Sequence, residues 1–246
     1  MARRSKSALR GKAGGISWNR ARTALVASIG ITALLYTVPA LQPLGWPFIL
    51  LSTLAHELGH GLAAIFVGCR FEELAMYADA SGVARWAGNP GRVARACIAA
   101  GGLLGPAVVS AGLFFAATRP GRARVAMGLL SGVLLLTALL WVRNLFGLFF
   151  VLVLAGGCAL AWTRASAETM RFMLVLVAVQ LSLSVFSRGD YLFTATARTS
   201  EGPMPSDVAH IEAALILPYW VWGAFVGLLS VAILFQGSKQ YLVSAR

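Results

Sequence analysis

The sequence is poor in charged residues, and acidic residues are the scarcest of them. Its 246 residues include 9 Asp and Glu and 21 Lys and Arg, so that 12% of the chain is charged. Soluble domains carry roughly twice that share. Hydrophobic residues make up 58% of the chain, and the mean hydropathy is +0.75. This composition excludes a soluble globular enzyme and predicts a membrane protein.

Cysteine is also scarce. The three cysteines, Cys69, Cys97 and Cys158, are far apart in the sequence and form no Cys-x-x-Cys pair. An odd number of widely spaced cysteines does not support a disulfide framework or a thiolate metal site. Any metal would therefore be held by histidine and carboxylate side chains.

The sequence contains several long apolar runs. Because a helix needs about 20 apolar residues to cross a bilayer, the runs predict seven spans, at residues 23–38, 47–67, 93–118, 125–142, 145–162, 172–186 and 213–235. Lipid leaves no partners for an open sheet edge, so we expect an all-α polytopic bundle of six to seven transmembrane helices. Only Arg143 and Asn144 separate the fourth and fifth runs, so residues 125–162 could instead form a re-entrant pair or one long broken helix.

Between the second and third runs, residues 74–86 read as a short β-hairpin or loop, with turn residues Asp79, Ser81 and Gly82. The Gly- and Pro-containing segments 82–91 and 201–205 are candidates for a gate. The extended stretch near Tyr77 is a candidate for pairing with a substrate strand.

Positive charge is concentrated at the start of the chain. Seven of the 21 basic residues lie within residues 1–22, which we expect to form a disordered cytoplasmic tail ahead of a membrane domain at 23–246. Alternating spans from a cytoplasmic N-terminus would place residues 70–95, and the segment before the last span, on the cytoplasmic side. A cleaved signal peptide ending near Val38-Pro39-Ala40 is the alternative. No stacking platform accompanies the basic tail, so nucleic acid is not an expected partner. The Ala- and Arg-rich composition favours a bacterial inner membrane.

One motif carries chemistry: His56-Glu57-Leu58-Gly59-His60, within the second run. Residues four apart lie on one helix face, so both imidazoles can reach one Zn²⁺ ion. Zinc lowers the pKa of its bound water toward about 7, and Glu57 is then the candidate general base that takes the proton. An ionisable cluster inside a membrane span is expensive and usually functional, although a hydrogen-bonded polar cluster joining helices is the alternative.

A catalytic zinc site needs a third protein ligand and one open position. Asp207 is favoured because it follows an irregular segment and precedes the last span, although aspartate there is also what a helix N-cap would use. The other candidates are His210, Asp190, Glu212 and Asp79.

The motif continues as Gly61-Leu62-Ala63-Ala64, and a Gly-rich run, Gly101-Gly102-Leu103-Leu104-Gly105, and a distal aspartate follow. Together these features resemble the site-2 protease-like intramembrane zinc metalloproteases, in their compact bacterial branch. The resemblance implies that Asp207, in Pro205-Ser206-Asp207-Val208-Ala209, completes the zinc site, although the Leu-Asp-Gly sequence of the better-known branch is absent. It also implies that Asn144 holds the substrate backbone.

The resemblance implies hydrolysis of a peptide bond in a membrane-embedded or membrane-adjacent polypeptide. A noncatalytic protein of the same fold that binds metal or client helices is the alternative, but binding alone would not require Glu57 between the ligands. A metal transporter should carry ionisable residues across several spans, and the sequence has almost none outside the second.

Overall fold

The computed structural model describes residues 17–187, 191–200 and 202–244, and helices dominate them. The eight α-helices are α1 (Trp18–Thr37), α2 (Gln42–Phe66), α3 (Arg92–Ala116), α4 (Pro120–Leu140), α5 (Leu145–Arg164), α6 (Ala167–Ser187), α7 (Asp207–Ala214) and α8 (Tyr219–Val243). Two small antiparallel hairpins pair β1 (Arg70–Met76) with β2 (Gly82–Ala87) and β3 (Thr196–Thr199) with β4 (Gly202–Pro205).

Five stretches of this described chain are long and apolar enough to cross a membrane: α2 with the short 3-10 turn before it, α3, α4, α5 and α8. α1 and α6, of 20 and 21 residues, coincide with two further predicted spans but are not among these five, so five of the seven predicted spans are supported. The predicted polytopic helical bundle is therefore confirmed. Residues 125–162 form two separate helices, each long enough to span, rather than one broken helix.

Two predicted boundaries were wrong. α1 begins at Trp18, so residues 18–22 are helical rather than part of a disordered tail, and residues 1–16 lie outside the described chain. The last run, predicted at 213–235, is divided between α7 and α8 by the non-helical segment 215–218. Pro218 stands just before α8, where its missing N–H costs no helical hydrogen bond.

Glycines bring α2 and α3 into backbone contact. A β-carbon on Gly59 would lie 2.2 Å from the Gly101 carbonyl oxygen, and one on Gly105 would lie 2.6 Å from the Ala55 oxygen. Small residues allow helices in lipid to approach this closely. The contact fixes the face of α2 that carries Gly59 against α3.

The predicted hairpin after α2 is present, and its first strand is covered on the outer edge. The backbone of the α4–α5 turn pairs with Leu74: the Leu74 N–H donates to the Trp141 carbonyl at 2.7 Å, and the Arg143 N–H donates to the Leu74 carbonyl at 3.1 Å. The Phe71 and Trp141 rings stack with centroids 4.9 Å apart. The hairpin is thereby attached to the helical bundle.

The start of α1 contacts helix ends that strict alternation would place across the membrane from it. Arg20 forms an ion pair with Glu168 at the start of α6, and the Tyr241 hydroxyl, near the end of α8, donates to the Ala21 carbonyl at 3.5 Å. Arg171 of α6 donates to the carbonyl of Ala117, just after α3, at 2.9 Å. The predicted alternation, which separated residue 20 from residue 168, was therefore wrong. With arginines in its first turns, α1 is less apolar than the five candidate spans.

Candidate metal centre

The two histidines of the motif meet on one face of α2, as their spacing predicts. The His56 and His60 Nε2 atoms are 3.2 Å apart, and the rings are perpendicular with centroids at 4.7 Å. Glu57, on the neighbouring face, is 7% exposed. α2 thus presents two imidazoles and one buried carboxyl at one level of the bundle.

Asp207 lies directly opposite this pair, at the first residue of α7. Its Oδ2 is 3.0 Å from His56 Nε2 and its Oδ1 is 3.2 Å from His60 Nε2. Ser206, not Asp207, is the N-cap, since its Oγ accepts the Ala209 N–H at 3.2 Å. The cap alternative for Asp207 is therefore wrong, and its carboxylate faces the histidines.

α3 fixes the tautomer of His60. The His60 Nδ1 lies 2.8 Å from the Ile98 carbonyl oxygen. Because a carbonyl can only accept, Nδ1 carries a proton, and Nε2 is the ring nitrogen that faces the centre. This arrangement is the usual support for a metal-binding histidine.

Two opposing effects act on the pKa of Asp207. Burial raises the pKa of the carboxyl, but the charge of His60 and the hydrogen bonds from His56 and His60 outweigh it and hold the pKa well below its ordinary value. Asp207 is therefore ionised at neutral pH, the form in which a carboxylate binds a metal.

The three side chains fit a zinc ion by their chemistry. Ligand atoms of His56, His60 and Asp207 all lie within 4.8 Å of one another, which makes them a group able to hold a metal within the described chain. Two imidazole nitrogens and one carboxylate oxygen match the ligand set of catalytic zinc sites, which leave a fourth position open.

A cavity of about 300 Å³ opens onto this group. The hairpin lines it with Val83, Ala84 and Trp86 of β2, and residues of β3, β4 and α7 also line it. Gly82 allows the hairpin to approach the site, because a β-carbon there would lie 2.8 Å from Glu57 Cγ. A cavity of this volume has room for water beside the three side chains.

The other ligand candidates lie apart from this group. His210 is exposed and lines the cavity without joining the three ligands. Asp79 lies in the β1–β2 turn, where hydrogen bonds from Ser200 and Ser81 lower its pKa. Glu212 is half-buried on α7 and does not belong to the metal-binding group. Asp190 lies outside the described residues.

Asn144 has backbone partners rather than a free side chain. Its Oδ1 accepts the Met76 N–H at 3.1 Å, and its Nδ2 donates to the Met76 carbonyl at 2.5 Å. The pair joins the start of α5 to the end of β1. Its proposed contact with the substrate backbone remains a prediction.

Sequence reasoning missed several contributors. Two groups on α3 contact His60: the Ile98 carbonyl accepts its Nδ1–H, and Gly102 leaves room for its ring. Arg92 and Arg95 line the cavity. Arg92 and Arg95 sit at the start of a predicted span, where basic residues are ordinary. The Gly-rich run was the one available signal for Gly102.

Comparison with known proteins identifies the family of this chain. The peptidase M50B-like family model matches residues 26–237, which is most of the chain. No curated protein and no solved structure matches it. The five apolar helices and this match together identify an integral membrane protein of a protease family. The chain belongs to the peptidase M50B-like family.

Proposed function

We propose that the protein is an intramembrane zinc metalloendopeptidase that hydrolyses a peptide bond of a membrane-embedded or membrane-adjacent polypeptide. The convergence of His56, His60 and Asp207, with Glu57 lining the same cavity, carries this proposal. A bound zinc ion would polarise the scissile carbonyl and acidify water beside it.

The side chains take distinct roles in this reaction. The histidines and Asp207 hold the metal, and the Ile98 carbonyl keeps His60 in the tautomer that presents Nε2. Glu57 is the general base: its buried carboxylate accepts a proton from the attacking water and delivers it to the leaving amine. A noncatalytic metal-binding protein would have no use for this carboxylate.

The substrate docks as an extended strand against β2. The outer edge of β1 is occupied by the α4–α5 turn, and β2 pairs only with β1 within the described sheet. β2 also lines the cavity, so a strand added there would run past Glu57. This moves the docking edge from the stretch near Tyr77 to the second strand of the hairpin. The 201–205 segment proposed as a gate corresponds largely to β4, and Glu201 lies outside the described residues.

We further propose an orientation in a bacterial inner membrane. The start of α1, residues 119–124, the start of α6 and the end of α8 lie at one end of the bundle. Residues 1–22, which lead into and begin α1, carry seven of the 21 basic residues, and residues 119–124 carry three more. Positive charge favours the cytoplasmic side. α7 packs with the opposite ends of α3 and α8, through Val208, Ala96 and Val226. The N-terminus is then cytoplasmic, and the site opens toward the other face.

The decisive experiment measures zinc and cleavage in matched variants. Purified wild-type protein should contain about one zinc per chain, and Asp207→Ala should lose most of it, because three ligands define a catalytic site. Glu57→Gln should keep its zinc and lose cleavage of a co-expressed panel of single-span membrane proteins.

Three outcomes would count against the proposal. A wild-type protein without zinc after reloading would remove the metalloprotease chemistry. Unchanged zinc in Asp207→Ala would move the third ligand elsewhere, with His210→Ala as the next variant. Cleavage that persists in Glu57→Gln would show that a contaminating protease does the cutting.

A further inference from the structure

Two arginines face the cavity of the metal centre. Arg92 and Arg95, from the first turn of α3, line it together with His56, Glu57 and Asp207. Neither arginine belongs to the proposed metal ligands, and neither is the proposed general base. Both residues are exposed, so their guanidinium groups are accessible to a ligand that enters the cavity.

Each arginine is held by one nitrogen and leaves the rest of its donors available. Arg92 Nε donates to the Ala214 carbonyl at 2.8 Å, and Arg95 Nε donates to the Pro90 carbonyl at 3.2 Å. Neither forms an ion pair with any Asp or Glu of the described chain. Because a guanidinium carries five N–H donors, the Nη groups of both side chains remain for a ligand.

The charges around the cavity favour an anion. The carboxylates that line it are Glu57 and Asp207, and Asp207 is already bonded to both imidazoles. Glu57 packs beside Gly82 on the hairpin side of the cavity. Neither guanidinium group has an acidic partner within the described chain, and arginine binds a carboxylate through two parallel hydrogen bonds.

We propose that Arg92 and Arg95 bind a carboxylate of the substrate close to the scissile bond. The inference rests on the proposed peptidase function and names its substrate class: a polypeptide with an Asp or Glu side chain, or a free C-terminal carboxylate, within a few residues of the cleaved bond. The arginines are specificity-determining residues, and they take no part in the proton transfers assigned to Glu57.

The test measures binding rather than cleavage, so it stays informative if no substrate is ever cut. Purified full-length Glu57→Gln protein is titrated, by fluorescence anisotropy in neutral detergent, against three labelled dodecapeptides on one Leu/Ala scaffold. The first has a central Glu and an amidated C-terminus. The second replaces this Glu by Gln. The third is the Gln peptide with a free C-terminus, which separates the two sources of carboxylate.

We expect the Glu peptide, the free-carboxylate peptide or both to bind about tenfold tighter than the neutral peptide, as one charge-assisted contact allows. In Arg92→Gln/Arg95→Gln this preference should disappear, so that the carboxylate and neutral peptides bind with about equal affinity. Arg92→Lys/Arg95→Lys should keep part of it, since lysine retains the charge but not the planar fork. Arg124→Gln is the matched control: its Nη1 donates to the Trp162 carbonyl, away from the cavity, and the preference should be unchanged.

Equal affinity for all three peptides, or a preference that survives the double Gln variant, would overturn the proposal. A lipid headgroup is the competing ligand. If the double variant loses binding to phosphatidylglycerol vesicles, relative to phosphatidylcholine, while no peptide preference exists, the arginines serve the membrane instead. Should the double variant fail to fold, Arg95→Gln alone, whose partner is the loop carbonyl of Pro90, repeats the comparison. Absence of zinc or of cleavage in the wild-type protein would instead count against the peptidase function.

Discussion

Gly102 lies against the imidazole of His60, and no larger residue fits between them. A β-carbon at position 102 would be 2.1 Å from His60 Nε2, the nitrogen that faces Asp207. The absence of a side chain on α3 therefore sets the position of a metal-binding group on α2. It joins the Ile98 carbonyl in holding the ring from the α3 side.

Gly102→Ala should displace the His60 ring and lower zinc content severalfold, because loss of supporting contacts typically costs about 10–100-fold in metal affinity. The measurement is zinc per chain after dialysis against a weak chelator. Gly112→Ala is the matched control on the same helix, since a β-carbon there meets nothing within 4 Å. Equal zinc retention in the two variants would contradict a positioning role for Gly102.

Ser206→Ala should destabilise α7 and loosen Asp207 without removing a ligand. The Ser206 hydroxyl accepts the Ala209 N–H and donates to the Thr194 carbonyl at 2.6 Å, so the variant loses a cap and a link to the segment before β3. Loss of a cap costs about 1 kcal/mol. We expect a lower Tm and weaker zinc binding, with Ser206→Thr largely restoring both. Weaker zinc binding with an unchanged Tm would contradict the cap.

Asn144→Ala tests whether this residue supports the hairpin, contacts substrate, or does both. Because its side chain bonds both backbone groups of Met76, removal should lower the free energy of unfolding by about 1–3 kcal/mol. Thermal unfolding of Asn144→Ala in detergent tests the support of the hairpin. Peptide affinity of Asn144→Ala in the Glu57→Gln background tests contact with substrate. Reduced affinity with normal stability would assign Asn144 to substrate alone.

The proposed orientation predicts which positions a membrane-impermeant maleimide reaches in intact cells. In a background with Cys69, Cys97 and Cys158 replaced by serine, a cysteine at Ser200, in the β3–β4 turn, should be labelled. A cysteine at Arg119, ahead of α4, should react only after the cells are opened. The reverse pattern would place the metal centre on the cytoplasmic side and overturn the orientation.

Local spacing and long-range packing explain what the sequence could predict. The i, i+4 arrangement of His56 and His60 follows from helix geometry alone, and it was confirmed. Asp207 lies about 150 residues further along, and the sequence could only favour it among five candidates. Its contact with both histidines depends on α7 packing against α3, which no local pattern encodes.

Other features depended on interactions that the sequence leaves open. Hydropathy detects apolar length, so it merged α7 and α8 across the apolar segment 215–218 and could not show which helix ends meet. The pairing of Arg20 with Glu168 joins residues that are far apart in sequence. Likewise, no sequence pattern in the α4–α5 turn predicts that its backbone pairs with Leu74 of β1.

The pairing of Leu74 with the α4–α5 turn also affects how this protein avoids self-association. An unpaired strand edge is a template for another chain, and in lipid its free N–H and C=O groups lack water as a substitute partner. With the β1 edge closed by Trp141 and Arg143, the sheet can accept a strand on the β2 side alone. Two copies of the protein therefore cannot extend this sheet in both directions into a continuous ladder.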